Sequence, residues 1–235
     1  MTAARARAAP GAVYDPHCRR CPRLAAFLDR TRRQHPDYFA RPVPSFGAAR
    51  PRILIVGLAP GMHGANRTGR PFTGDHAGIL LYSALHEAGL ASRAVSKSAH
   101  DALRLRHARI ANSVKCVPPE NRPLPAEIRT CNAFLAAEMG GLRQVAVYLA
   151  LGRVAHTAVL MALGLPAARY PFAHGREHRL DATRWLLDSY HCSRYNTATR
   201  RLTPAMFAAV LARACERAGL PLPRGQPREE RLQRV

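Results

Sequence analysis

Residues Arg52 to Gly78, RILIVGLAPGMHGANRTGRPFTGDHAG, constrain the fold more than any other stretch. Ile53, Leu54, Ile55 and Val56 form a run of apolar and β-branched residues, the pattern of a strand buried on both faces. The chain then enters a loop rich in glycine, with Gly57, Gly61, Gly64, Gly69, Gly74 and Gly78 permitting close backbone approach and Pro60 and Pro71 stiffening it. Asp75 stands just before an apolar helical pattern that starts near Gly78, and Phe72 offers a flat face three residues earlier. A buried strand, a glycine-rich loop and a helix in that order is where open α/β sheets bind ligands, beyond the carboxyl ends of the strands.

The remaining periodicity repeats the unit. A short helix starts at Pro22, and prolines 36, 42, 44 and 51 carry an irregular arm to the first strand. Helix GILLYSALHEAG follows the glycine loop, with Ile79, Leu80, Tyr82, Leu85 and Leu90 at helical spacing and Gly89 as its stop. A second strand spans His107 to Val114, then the stiff loop CVPPENRPLP and helix AEIRTCNAFLAAEM, closed by Gly140 and Gly141. QVAVYLALG is the third strand and RVAHTAVLMALGL its helix; ATRWLLDS is the fourth, followed by YHCSRYNTATRRL and a last helix with Thr203 as N-cap, Pro204 at its first position and Gly219 as its stop. Four β-α units with right-handed crossovers make a three-layer α/β/α fold around a central four-stranded parallel sheet. The unusual polar residues all follow strand ends, so one rim of the sheet collects them. Pro166 to His178 carries no assignment.

At 235 residues and 47% hydrophobic content the chain has material for one domain with a full core, expected over residues 13–222 between basic tails at 1–12 and 223–235. The formal charge of +21 favours polyanions, and among the basic residues only Lys97 and Lys115 are lysines. Arg- and Ala-rich composition gives the same excess without a partner, so charge alone leaves nucleic acid an open reading. The longest apolar run, Val145 to Leu151, falls far short of the roughly 20 residues of a membrane span. MTAARARAAP resembles a transit peptide in composition but lacks the apolar core of a secretory signal, so a solvated tail and a monomer in the bacterial cytosol, away from membranes, are expected.

Cysteine placement suggests a metal centre. Cys18 and Cys21 form a C-x-x-C pair, Cys116 directly follows the second strand, and Cys131 lies on the next helix. Structural zinc prefers two close pairs, and here the second is widely split. An iron–sulfur cluster tolerates that spacing, and two disulfides suit a chain without a secretory signal poorly. Cys215 sits in an apolar helical pattern as core, while Cys192, in the loop after the fourth strand, is open to packing or reactivity.

Taken together, GLAPGMHGANRTGRPFTGD, the later His-Cys-Ser-Arg-Tyr-Asn-Thr and the four cysteines resemble the uracil-DNA glycosylase superfamily, specifically its type B branch, also called family five. The resemblance covers nearly everything from Cys18 to Gly219. In the type A iron–sulfur branch the residue after the first motif glycine is acidic; here it is Leu58, which points to type B. The family implies a 4Fe-4S cluster of structural role on Cys18, Cys21, Cys116 and Cys131, and hydrolysis of the N-glycosidic bond of uracil in DNA without strand cleavage, as in base excision repair. Its type B members imply a wider range of deaminated bases, including hypoxanthine.

Base removal needs an everted nucleotide, a donor to the departing base, and a carboxylate beside the cation-like sugar. The resemblance implies His191 as the donor and Asp75 as the carboxylate, although an Asp before a helix is equally an N-cap and a loop histidine equally a structural one. Asn121 resembles a polar residue of the type B site, and Asn112 the base-reading asparagine of other branches, so the two compete for the same task. Phe72 is expected to stack on the base, and the backbone of Gly57, Ala59 and Gly61 to line its pocket. Ser193, Arg194 and Tyr195 are expected to enter the gap in the duplex, with Arg67 and Arg70 on phosphates. Relatives often carry proline or an aliphatic residue at Cys192 and glutamine at Tyr195. A non-catalytic cluster protein that binds DNA or senses redox state is the rival reading. A phosphate-cradling enzyme is a weaker one, because the loop lacks both the G-K-[ST] ending and a dinucleotide fingerprint.

Overall fold

The computed structural model describes residues 13–221, so the two expected tails lie outside the described residues. Four parallel strands form the centre: β2 (Ile53–Gly57), β3 (Ala108–Asn112), β4 (Val147–Leu151) and β6 (Trp185–Ser189). Two short antiparallel strands, β1 (Phe46–Gly47) in the proline arm and β5 (Glu177–Arg179) in the unassigned segment, extend both edges, so the sheet has six strands in the order β1-β3-β2-β4-β6-β5. Neither edge strand is long enough to carry a periodic signal.

Helices cover both faces, and the pleat of β2 sorts them. Ile53 and Ile55 pack with Leu81, Tyr82 and Leu85 of α3 (His76–Glu87) and Phe207 and Leu211 of α7 (Pro204–Arg217). Leu54 and Val56 pack with Leu135 and Met139 of α4 (Pro125–Gly141) and Ala155 and Val159 of α5 (Arg153–Ala162). Every residue of β2 and β4 is buried, as strands covered on both faces require. A smaller third core joins Leu24 and Leu28 of α1 (Pro22–Gln34) to Val114, Cys116, Val117, Cys131 and Phe134. Short helices at α2 (Ala65–Thr68) and α6 (Arg194–Ala198) interrupt the two motif loops. Among the described residues, no helix is long and apolar enough to cross a membrane.

Because β3 and β4 flank β2 on opposite sides, the chain reverses direction across the sheet beside β2. The loops after β2 and β4 leave the sheet at that switch, the place where open α/β sheets bind ligands, beyond the carboxyl ends of the strands.

One glycine fixes how the β2 loop feeds α3. A Cβ on Gly78 would lie 1.8 Å from the Phe72 carbonyl oxygen, a backbone atom that cannot swing aside. Gly78→Ala is therefore expected to lower unfolding free energy by about 2–3 kcal/mol, read from the urea midpoint; an unchanged midpoint would mean that the loop and α3 are not rigidly joined.

Candidate active site

Asp75 caps α3, its Oδ1 accepting the Gly78 backbone N–H at 3.0 Å. The other carboxylate oxygen faces the glycine loop: Cβ atoms built on Gly64 and Gly61 would stand 2.5 and 3.5 Å from Oδ2. Any side chain at position 64 would therefore displace the acid. Burial raises the Asp75 carboxyl above its ordinary range, against the lowering effect of the Gly78 N–H.

Phe72 holds its backbone at φ 54°, a left-handed conformation that costs a side-chain-bearing residue about 1 kcal/mol. The strain turns its ring under the end of β2, where a Cβ on Gly57 would meet Phe72 Cζ at 2.6 Å and Asn112 Oδ1 at 2.7 Å. Asn112, the last residue of β3, is buried, and its Oδ1 has no hydrogen-bond partner. An unsatisfied buried amide oxygen beside an aromatic face is a costly arrangement for the protein alone and a recognition group for a ligand with an N–H to donate.

His191 completes the group from the far side of the sheet, two residues past β6. Its ring centroid lies 5.8 Å from that of Phe72, and Gly152, at the end of β4, would touch His191 Cβ at 3.4 Å if it carried a side chain. Asn196 Nδ2 donates to the His191 carbonyl at 2.8 Å and holds the loop in place. His191 is half-buried, and burial pushes its pKa down to about 4, so the imidazole is neutral near pH 7. A 3.0 Å hydrogen bond between His76 Nε2 and Thr197 Oγ1 joins the start of α3 to α6 and so ties the element carrying the acid to the element carrying the imidazole.

The four expected cysteines come together. Cys18, Cys21, Cys116 and Cys131 line one cavity with Leu24, Val114 and Phe134, and Cys131 Sγ accepts the Lys115 N–H at 3.3 Å. Burial pushes the Cys21 thiol up to about 11 and the Cys116 thiol higher, and the neighbouring cysteines raise both further. Four such thiolates can coexist only around a compensating positive centre.

Residues 44–215 match the family described as the uracil DNA glycosylase superfamily. The chain belongs to that superfamily. A protein of Thermus thermophilus named type-5 uracil-DNA glycosylase is 50% identical over 209 residues, covering 86% of this chain and 94% of the relative. Relatives of the same name from Mycobacterium leprae, at 46% over 211 residues, and Pyrobaculum aerophilum, at 41% over 207, cover 86% of this chain and 92% and 90% of their own lengths. These matches put the chain in the type-5 branch, as Leu58 suggested.

Other expected residues of this glycosylase-family site stand as follows. Gly61 lies beside Asp75, and Ala59 packs on the cysteine core. Asn121 sits exposed at the tip of its loop with φ 57°, and among the described residues no hydrogen bond joins its side chain to Asp75, Asn112 or His191. Ser193 caps α6, accepting the Asn196 N–H, while Arg194 is exposed and Tyr195 is 70% exposed beside it. Cys192 is fully buried, and burial together with the Asp75 charge raises its thiol, so it packs rather than reacts. Residue spacing gave no hint of Gly64, Gly152 or Asn196 as site-shaping positions, because their partners are distant in sequence.

Arg70 needs correction as a phosphate ligand. Its guanidinium is buried, paired with Asp101 at 2.6 Å, bonded to Ser96 Oγ and the Ala99 carbonyl, and set 4.3 Å over the Phe46 ring. Burial alone would raise the Asp101 carboxyl; Arg70 and backbone N–H groups of Lys97, Ser98 and Leu103 overcome that and hold it well below the usual range. Arg67 is exposed, with its Nε on the His63 carbonyl. Arg70→Ala is expected to cost about 3 kcal/mol of stability by stranding Asp101, with the salt dependence of DNA binding unchanged in the folded protein. Arg67→Ala is expected to lower the magnitude of the log K against log salt slope by about one at near-constant melting temperature; the opposite pattern would return Arg70 to the DNA face.

Proposed function

We propose that this chain excises uracil from DNA, hydrolysing the N-glycosidic bond to leave an abasic site for base excision repair. The observation that carries the reading is the unpartnered Asn112 Oδ1 beside the strained Phe72 ring, with neutral His191 and the half-buried Asp75 close by. The type-5 uracil-DNA glycosylase relatives, matched over almost their full lengths, support it.

In this reading the everted base stacks on Phe72. Asn112 reads the base edge through an amide acceptor and donor, matching the N–H and adjacent carbonyl of uracil. Hypoxanthine presents the same N–H and carbonyl pair, whereas cytosine and adenine carry an amine in place of that carbonyl; this favours a range of deaminated bases. As the glycosidic bond lengthens, His191 donates to the uracil oxygen that gains charge, and being neutral it need not release a proton into solvent to reset. The Asp75 carboxylate stabilises the sugar cation and orients water at the sugar carbon, using the oxygen not committed to Gly78. Exposed Tyr195 and Arg194 fill the space the nucleotide leaves, and Ser193 and Arg67 meet phosphates. Asn121, exposed on its loop, is left to contact the substrate rather than the reacting bond.

Cys18, Cys21, Cys116 and Cys131, which line one cavity, would hold a 4Fe-4S cluster. Bound there, it would cross-link α1, the loop after β3 and α4, and Asn112 lies four positions from one of these cysteines.

Incubation with duplexes carrying one uracil or one hypoxanthine, followed by alkali, tests the reading. Strand breaks are expected for both lesions only after alkali. Asp75→Asn keeps a good helix cap, so it is expected to lose at least about 100-fold in single-turnover rate without losing stability; His191→Asn is expected to lose a similar factor. The wild-type rate is expected to fall on the acid side as Asp75 protonates through its raised pKa. Full activity in both variants would remove Asp75 and His191 from the chemistry, and binding of either duplex with no strand break after alkali would leave the protein a DNA-binding module. Cys116→Ser is expected to lower both iron content and melting temperature, and an unaltered iron-to-protein ratio would remove that cysteine from the cluster.

A further inference from the structure

Behind β6, on the face covered by α5, two buried polar residues and one half-buried histidine meet. His156 of α5, His178 of β5 and Asp188 of β6 bring their ligand atoms within 4.8 Å of one another, well apart in sequence from the cysteines. His156 and Asp188 are almost wholly buried. His156 Nε2 lies 2.7 Å from the Tyr170 carbonyl, which can only accept, so that nitrogen carries a hydrogen. Its Nδ1 meets Asp188 Oδ1 at 2.7 Å, a contact that holds either a hydrogen or a cation between nitrogen and carboxylate.

His178 gives the second indication. Its Nε2 is buried and makes no well-formed hydrogen bond, its acidic neighbour being Asp188 Oδ2 at the long distance of 3.4 Å. Bonds of about 2.0–2.2 Å in a tetrahedral zinc site put ligand atoms about 3.3–3.5 Å apart; the His178 nitrogen stands at that spacing from Oδ2, whereas His156 meets the other oxygen, Oδ1, at hydrogen-bond length and must move back by about 0.6 Å. The Tyr170 carbonyl fixes the His156 tautomer in the manner of the outer partners that orient metal-bound imidazoles.

We propose that His156 Nδ1, His178 Nε2 and the Asp188 carboxylate form a site for one divalent ion of the zinc class, separate from the cysteine centre. Two imidazoles and a carboxylate suit such an ion, and open positions remain for water. Bound there, it joins α5, β5 and β6, and β6 leads within three residues to His191. The expected benefit is stability of that corner, with the uracil chemistry left to the residues already named.

The test uses the protein as purified, with its iron measured so that the cysteines are accounted for. After equilibration with micromolar zinc chloride and removal of free ion, wild type is expected to retain one more zinc per chain than His178→Ala or Asp188→Asn, and zinc is expected to raise the melting temperature of wild type alone. His174→Ala, whose ring stacks on Tyr190 outside the triad, is expected to keep the extra zinc. Should the triad variants fail to fold, the cobalt difference spectrum of wild type decides: visible ligand-field bands without thiolate charge transfer support the site, and thiolate bands overturn it. Equal zinc in wild type and folded His178→Ala, or none retained by wild type, also overturns it and leaves a proton as the group between His156 and Asp188.

Discussion

The structure depends on a steric constraint at the end of β2: three places where no side chain fits. Gly57 lies against Phe72 and Asn112, Gly64 against Asp75, and Gly78 against the Phe72 carbonyl. Together they bring the loop close enough to the sheet for a carboxylate, an aromatic face and an amide to share one crevice. The left-handed backbone at Phe72 is the strain this packing imposes. Partial burial of Asp75 works in the same direction: it disfavours the charged carboxylate and so raises its pKa, and perturbed groups of this kind cluster at functional sites.

The second organising feature is how the cysteine core leans on that crevice. The Ser113 and Val114 N–H groups donate to the Gly57 and Leu58 carbonyls, and the Val43 N–H donates to the Lys115 carbonyl, so the segment leading to Cys116 is laced to the end of β2. Arg23 pairs with Glu127 at 2.7 Å and ties α1 to α4 on the outer side. A centre bound by these cysteines would thus stabilise the backbone that presents Asn112, without touching the reacting atoms.

Several features were legible before any coordinates. Apolar runs located all four parallel strands, and capping chemistry placed the last helix, where Thr203 accepts the Met206 N–H and Pro204 opens the first turn. The edge strands β1 and β5 were not legible, because two or three residues have no period to detect and pair only because a neighbouring strand offers free backbone groups. Arg70 shows the limit for charges. An arginine in a glycine-rich motif reads as a phosphate ligand until Asp101, 31 residues away, folds back on it. The competition between Asn112 and Asn121 has the same character: both sit in the right neighbourhood of the sequence, and only burial and the missing partner of Asn112 Oδ1 separate them.

The sequence by itself determined the layered architecture, the loop that carries the site, the residue types available to it and the family resemblance. Those follow from short-range rules, since periodicity, capping and glycine placement act within a few residues. Only the tertiary structure decided which side chains face one another. Asp75 and His191 are brought to one crevice by strands that are neighbours in the sheet and not in the chain, four cysteines line one cavity, and His156, His178 and Asp188 converge behind β6. The physical reason is that such contacts are fixed by strand order, crossover direction and the absence of a Cβ, which depend on the whole packed sheet.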